Sequence, residues 1–224
     1  MNFNDTTREA VLAAIGREKL IVIVRGVPAD ALIPLTEAMY AGGVRLLEVP
    51  YSADGRVSDE ETADGIRTLA AHFAGRMEIG AGTVLTERQV ELTAAAGGRF
   101  IISPNTNETV IAKTRALGLV SLPGAFSPTE IEAAHEAGAD FVKLFPAAAL
   151  GAAYIKAVRA PLSDIKLLVV GGIDDRNAAE YLAAGAVGIG VGSGIVDRAL
   201  LEAGDYAGIT RLAKAYVAAV GGKV

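Results

Sequence analysis

The run Phe141-Val142-Lys143-Leu144-Phe145-Pro146-Ala147 sets a lysine inside an apolar segment of strand length that stops at a proline. Side chains alternate faces along a strand, so Phe141, Lys143 and Phe145 share one face. Burying an ammonium between two phenylalanines is costly unless it has a partner or gives up its proton. A desolvated lysine of lowered pKa is an amine nucleophile toward a carbonyl. The plainer reading is a strand-end lysine whose head reaches water. A second group, Glu48, interrupts the apolar run Val44-Arg45-Leu46-Leu47-Glu48-Val49. A carboxyl placed there is either the counterion of a buried cation or a proton shuttle. Arg25 closes another apolar run, Leu20 to Arg25, as a structural charge or as a contact for an anionic substrate. Finally, Gly171-Gly172 and Gly190-Val191-Gly192-Ser193-Gly194 each follow an apolar segment. Glycine lets backbone N–H groups come close to an anion, so both loops read as phosphate binders or, more simply, as tight turns.

Positioning these groups takes eight apolar runs, near 20–25, 44–49, 77–80, 100–102, 119–122, 141–144, 165–170 and 186–190. Helical patterns follow each of them, the last two covering about 194–202 and 205–220, and a further amphipathic pattern over 5–17 precedes the first. Continuous apolar strands alternating with helices imply a parallel sheet covered on both faces. Eight such units predict an α/β fold, a (β/α)8 TIM barrel, with the extra N-terminal helix closing its bottom. An open doubly wound sheet is the alternative, disfavoured because no Gly-x-Gly-x-x-Gly follows the first strand. Small-residue turns recur ahead of strands, as in Ala41-Gly42-Gly43, Ala96-Gly97-Gly98, Ala137-Gly138-Ala139 and Ala184-Gly185-Ala186. They read as helix C-caps without chemistry.

In such a barrel the chemistry sits at the C-terminal strand ends. Arg25, Glu48, Thr83, Pro104 with Asn105, Lys143 and both glycine loops with Ser193 all fall there. The polar stretch Ser52 to Glu61 reads as a solvated loop and helix start.

The 224 residues, 51% hydrophobic and 21% charged, suit one domain over 1–224 with a large core. A net charge of -5 without a basic patch argues against nucleic acid. There is no Cys, and the two histidines, His72 and His135, lie in helical patterns without ligand spacing; no metal is expected. No secretory h-region and no apolar run of about 20 residues are present. The default expectation is a cytoplasmic protein that does not engage a membrane.

Gly138-Ala-Asp-Phe-Val-Lys143-Leu-Phe-Pro-Ala147, with Gly151 four residues on, closely resembles the lysine signature of the 2-keto-3-deoxy-6-phosphogluconate and 4-hydroxy-2-oxoglutarate aldolases (KDPG/KHG). Gly43-Val-Arg-Leu-Leu-Glu48-Val resembles their glutamate signature. Gly80-Ala-Gly-Thr83-Val-Leu, Ser103-Pro104-Asn105 and Val170-Gly171-Gly172-Ile173 are similar to further family blocks, so the likeness spans nearly the whole chain. It implies a class I aldolase that uses no metal or cofactor and usually forms a homotrimer. Such an enzyme cleaves a 2-keto-3-deoxy-6-phospho sugar acid to pyruvate and glyceraldehyde 3-phosphate, or 4-hydroxy-2-oxoglutarate to pyruvate and glyoxylate. By the same resemblance Lys143 is the imine-forming lysine and Glu48 the general acid/base. Thr83 then binds the pyruvate carboxylate, Pro104 and Phe145 line the pyruvate pocket, and Gly171, Gly172, Gly192 and Ser193 hold the phosphate. Arg25 contacts an anionic part of the substrate.

One departure bears on the substrate. Many phosphogluconate aldolases continue the glutamate block as Glu-Val-Thr-x-Arg, whereas here it reads Glu48-Val49-Pro50-Tyr51-Ser52. The proline, and Val170 ahead of the glycine pair, resemble the phosphogalactonate (KDPGal) enzymes instead. Two other readings remain at this stage: a phosphate-binding barrel isomerase or decarboxylase in which Lys143 only pairs with substrate charge, and a non-catalytic sugar-phosphate sensor.

Overall fold

Parallel pairing of short apolar strands organises the chain, as seen in a computed structural model that describes residues 3–222, the side chains of 3–7 excepted. Helix α1 (Phe3–Glu18) precedes β1 (Leu20–Ile23), and α2 (Leu32–Ala41) leads to β2 (Leu46–Pro50). Next come α3 (Asp59–His72), β3 (Glu78–Gly82), α4 (Glu87–Ala95), β4 (Phe100–Ile102) and α5 (Glu108–Ala116). The fifth strand is split into β5 (Val120–Leu122) and β6 (Gly124–Ala125), followed by α6 (Pro128–Glu136), β7 (Val142–Leu144) and α7 (Gly151–Arg159). The chain ends with β8 (Leu167–Val170), α8 (Ala178–Ala183), β9 (Gly188–Val191), α9 (Arg198–Glu202) and α10 (Tyr206–Ala219).

The nine segments run in the order β5-β4-β3-β2-β1-β9-β8-β7-β6. Its two ends, β5 and β6, are consecutive pieces of one strand on either side of Pro123. β5 pairs with β4 and β6 with β7, so this strand closes the ring into the expected eight-position barrel. Proline has no N–H to give to a ladder, yet its carbonyl accepts from the Lys143 N–H at 2.8 Å.

Strand parity assigns every side chain to the barrel interior or to the helix layer. Leu20, Val22, Leu47, Val49, Val142, Leu144, Leu167 and Val169 pack outward in the large cluster under the helices. Their neighbours Ile21, Leu46, Phe100, Phe141, Leu168 and Val170 form a second cluster inside the barrel, closed by Val11, Ala14 and Ile15 of α1. The leading helix thus plugs the bottom. Burial of Val11 and Ile15 contributes about 1.5–3 kcal/mol each. Glu48 and Lys143 share the inward parity of Leu46 and Phe141 but lie one step higher, above this apolar floor.

The small-residue turns behave as expected: Gly43, Gly97, Gly138 and Gly185 have φ of +98°, +85°, +102° and +109°. Several boundaries differ from the sequence reading: β1 ends at Ile23 rather than Arg25, and β2 and β8 start at Leu46 and Leu167 rather than Val44 and Ile165. β9 starts at Gly188 rather than Ala186, and the helix expected from 194 begins only at Arg198. Gly192 instead opens a turn whose carbonyl accepts from Ile195 and Val196, both at 3.0 Å, before Asp197 caps α9 through the Leu200 N–H at 2.9 Å.

Candidate active site

A cavity of about 720 Å³ opens at the C-terminal end of the barrel. Arg25, Glu48, Thr83, Pro104, Lys143 and Phe145 line it together with Gly171, Gly172, Gly192 and Ser193. The residues given site roles from sequence therefore reach one space, while Asn105, beside Pro104, does not line it. They come from seven different strand ends, more than 160 residues apart along the chain at the extremes.

At the base, Glu48 is 2% and Lys143 7% exposed. Among the described residues the two make no direct ion pair, and Glu48 Oε2 is buried with no hydrogen-bond partner. Burial is the main force on both groups. It pushes the Glu48 carboxyl up to about 7, against the opposing pull of Lys143 and then Arg25. It pulls the Lys143 amine below its ordinary value, with Glu48 resisting and Arg25 assisting. Both shifts favour the neutral forms. The Lys143 Nζ lies 4.8 Å from the centroid of the Phe145 ring, an interaction that favours the ammonium. At a desolvated site such a contact contributes about 2 kcal/mol, and like Glu48 it opposes the desolvation that lowers the amine. Phe145 itself sits just past the end of β7 and is half-exposed, so it shares the lysine's side of the chain as a lip rather than as core.

The carboxyl needs room, and β3 supplies it. A Cβ built on Gly82 would stand 2.3 Å from Glu48 Oε1. The glycine two residues earlier does the same for the floor, since a Cβ on Gly80 would meet the Phe100 ring at 2.4 Å. Immediately after Gly82, Thr83 adopts a φ of +55°. A β-branched residue in that region is strained by about 1–2 kcal/mol. The strained turn brings its Oγ1 to 2.9 Å from the Arg25 Nη2, which donates to it. A guanidinium beside a hydroxyl at the cavity wall suits a carboxylate.

Across the mouth, Gly171 and Gly172 have φ of +93° and +74°, a left-handed pair that only glycine adopts without strain. The Gly172 carbonyl accepts from the Asn177 side-chain amide at 3.0 Å, which holds the loop in place. Gly192 and Ser193 face it from the turn after β9. Several lining residues were given no role in the site from sequence, among them Ile23, Val170, Ile173 and Arg198. Strand parity could have found Ile23 and Val170. For Arg198, an exposed charge in a helical pattern, the sequence carries no signal.

Barrel and site together define a class: a (β/α)8 barrel with a desolvated amine and a protonatable carboxyl in the cavity at the C-terminal ends of its strands. Comparison with known proteins narrows this to a family. The profile of the KDPG and KHG aldolases matches residues 11–212. The chain is 39% identical over 207 residues to a probable 2-dehydro-3-deoxy-6-phosphogalactonate aldolase of Rhizobium meliloti, covering 91% of this chain and 94% of that one. It is 34% identical over 212 residues to a 2-dehydro-3-deoxy-phosphogluconate aldolase of Treponema pallidum, covering 94% and 98%. A crystal structure of KDPG aldolase from Legionella pneumophila, with pyruvate captured as a covalent carbinolamine, superposes with a TM-score of 0.82 at 29% identity, over 92% of this chain and 97% of that one. The chain belongs to the KDPG and KHG aldolase family.

Proposed function

We propose that this chain is a class I aldolase that cleaves a 2-keto-3-deoxy-6-phospho sugar acid to pyruvate and glyceraldehyde 3-phosphate. The observation that carries the reading is the buried pair at the barrel mouth: Lys143, with its pKa lowered, facing a Glu48 carboxyl that titrates near neutrality. The neutral Lys143 amine attacks the substrate C2 carbonyl; protonated Glu48 then gives its proton to the carbinolamine hydroxyl, which leaves as water, so that a protonated imine and the Glu48 carboxylate remain. Glu48 then takes the proton of the C4 hydroxyl. The C4–O electrons form the aldehyde, the C3–C4 bond breaks, and its electrons pass to the imine nitrogen as an enamine. Protonation at C3 and hydrolysis release pyruvate and restore Lys143. A carboxyl near pH 7 suits both directions of proton transfer, and covalent catalysis divides one hard step into easier ones.

Thr83 and Arg25 hold the carboxylate, Pro104 and Phe145 flank the pyruvyl carbons, and Gly171, Gly172, Gly192 and Ser193 receive the phosphate. Reduction with borohydride in the presence of pyruvate, followed by peptide mass spectrometry, tests the assignment. The adduct is expected on the Lys143 peptide; label elsewhere with that peptide unmodified defeats it. Pro50 and Ser52, in place of the threonine and arginine of many gluconate enzymes, support a galactonate-type substrate. Pyruvate release measured on both C4 epimers and on 4-hydroxy-2-oxoglutarate decides this; faster turnover of the gluconate epimer refutes it. We also take the chain to act as a single-domain homotrimer in the cytoplasm. Light scattering at monomer mass, or recovery with membranes on fractionation, would contradict that part. Among the described residues no helix is long and apolar enough to cross a membrane.

A further inference from the structure

We propose that Arg198 is the side-chain cation that reads the substrate phosphate, and so sets the preference for phosphorylated over unphosphorylated keto acids. This rests on the aldolase reading above and adds a specificity residue to it. A phosphate monoester carries a charge of about -1.5 to -2 near neutrality. The two glycine loops offer it backbone dipoles but no full charge. Among the described residues, the cationic side chains lining the cavity are Arg25, Lys143 and Arg198. Lys143 lies buried at the base, where desolvation pulls its amine toward the neutral form, and it is the group that meets the keto carbon rather than the phosphate. Arg25 is engaged with Thr83 on the side of β3, at the carboxylate end. That leaves Arg198, five residues beyond Ser193 in the segment that carries the second phosphate loop.

The local structure suits a swinging cation. The backbone is fixed, because Asp197 caps α9 directly before Arg198. The side chain is 90% exposed, and its ion pair is with Glu202, one turn on, through Nε at 2.7 Å. An exposed pair of this spacing is weak and exchanges readily. Arginine has five N–H donors, so the terminal nitrogens stay available while Nε faces Glu202. A guanidinium also matches phosphate in two-pronged geometry, which an ammonium does not. Arg198 stands on the rim between this cavity and a neighbouring one of about 630 Å³ that Arg25, Arg56 and Glu202 line, within reach of an incoming anion.

The test compares wild type, Arg198→Ala and Arg198→Lys by pyruvate release. For the phosphorylated substrate, Arg198→Ala is expected to raise KM about tenfold or more, as for a lost hydrogen bond to a charged group, with the change in KM rather than kcat. The ratio of kcat/KM between phosphorylated and unphosphorylated substrates should fall by the same factor. Arg198→Lys should recover part of the loss, and the rise of KM with salt should flatten in Arg198→Ala. An unchanged KM, or equal losses on both substrates, overturns the proposal. Inorganic phosphate binding, read by thermal shift, decides it apart from turnover. Weaker binding by about tenfold in Arg198→Ala supports it, and equal affinities refute it. A wild type that binds phosphate yet releases no pyruvate fails the aldolase reading alone.

Discussion

The raised pKa of Glu48 has a consequence for folding that can be measured without substrate. The carboxyl titrates at about 7 in the fold against 4.5 in an unperturbed chain. Between those values the folded protein holds a proton that the unfolded chain has released. Stability therefore falls as pH rises through this window, by about 1.4 kcal/mol per pH unit. The loss is absent below pH 4.5, is complete above pH 7, and amounts to roughly 3 kcal/mol. Lys143 draws the Glu48 pKa down, so Lys143→Met should leave the carboxyl at least as hard to ionise. The clean comparison is thus Lys143→Met against Lys143→Met/Glu48→Gln, by thermal unfolding from pH 5 to 8. A buried glutamine amide adds a cost that does not vary with pH and drops out of the slope. For a chain of this size 1 kcal/mol moves Tm by about 2–4 °C. The double variant should gain on the single by roughly 6–12 °C between the two ends of the range. Parallel curves would refute the claim that Glu48 is held protonated by burial. The lysine works in the opposite direction: its pKa is lowered from 10.5, so wild-type stability should rise with pH up to that value. Lys143→Met should lack this alkaline gain.

Glu48→Gln alone should slow turnover by about 10²–10⁴-fold, the usual loss of a general acid–base, while borohydride trapping of pyruvate persists; wild-type kcat would remove Glu48 from the rate-limiting proton transfer. Gly82→Ala should cost about 10²-fold in kcat, as for a catalytic group displaced by about 1 Å, because its Cβ would occupy the place of Glu48 Oε1; steady-state kinetics check it. Tyr51, buried beside the missing arginine position, donates to the Gln89 carbonyl at 3.0 Å and lies 2.9 Å from Thr93 Oγ1. Tyr51→Phe should lower stability by about 1–2 kcal/mol, seen as a Tm drop of about 2–8 °C.

Much of the site was legible from pattern. Period-two alternation put Glu48 two residues past Leu46 and Lys143 two past Phe141, on the inward parity that the barrel confirms. Glycine at the end of β8 marked the Gly171-Gly172 turn, because a left-handed backbone leaves few other residue types, and the glycines after β9 marked the second loop at the cavity. The expected eight strands form, and the helix boundary after Ser193 failed because Gly192 closes a local turn before any helix can start. Periodicity and turn chemistry are local properties, and a linear chain displays them.

Folding alone supplied the rest. Closure through the split strand at Pro123 brings β4 and β7 to either side of one stave of the ring, which no local pattern encodes. Desolvation belongs to the assembled cavity: Glu48 and Lys143 are 95 residues apart in the chain, and each is shifted chiefly by what covers it. The space left by Gly82, the strained Thr83 hydroxyl facing Arg25, and the placement of Arg198 on the rim are likewise relations between distant segments. Residue types and spacing single out the candidate groups; their protonation states and mutual reach come from burial and closure, which exist only in three dimensions.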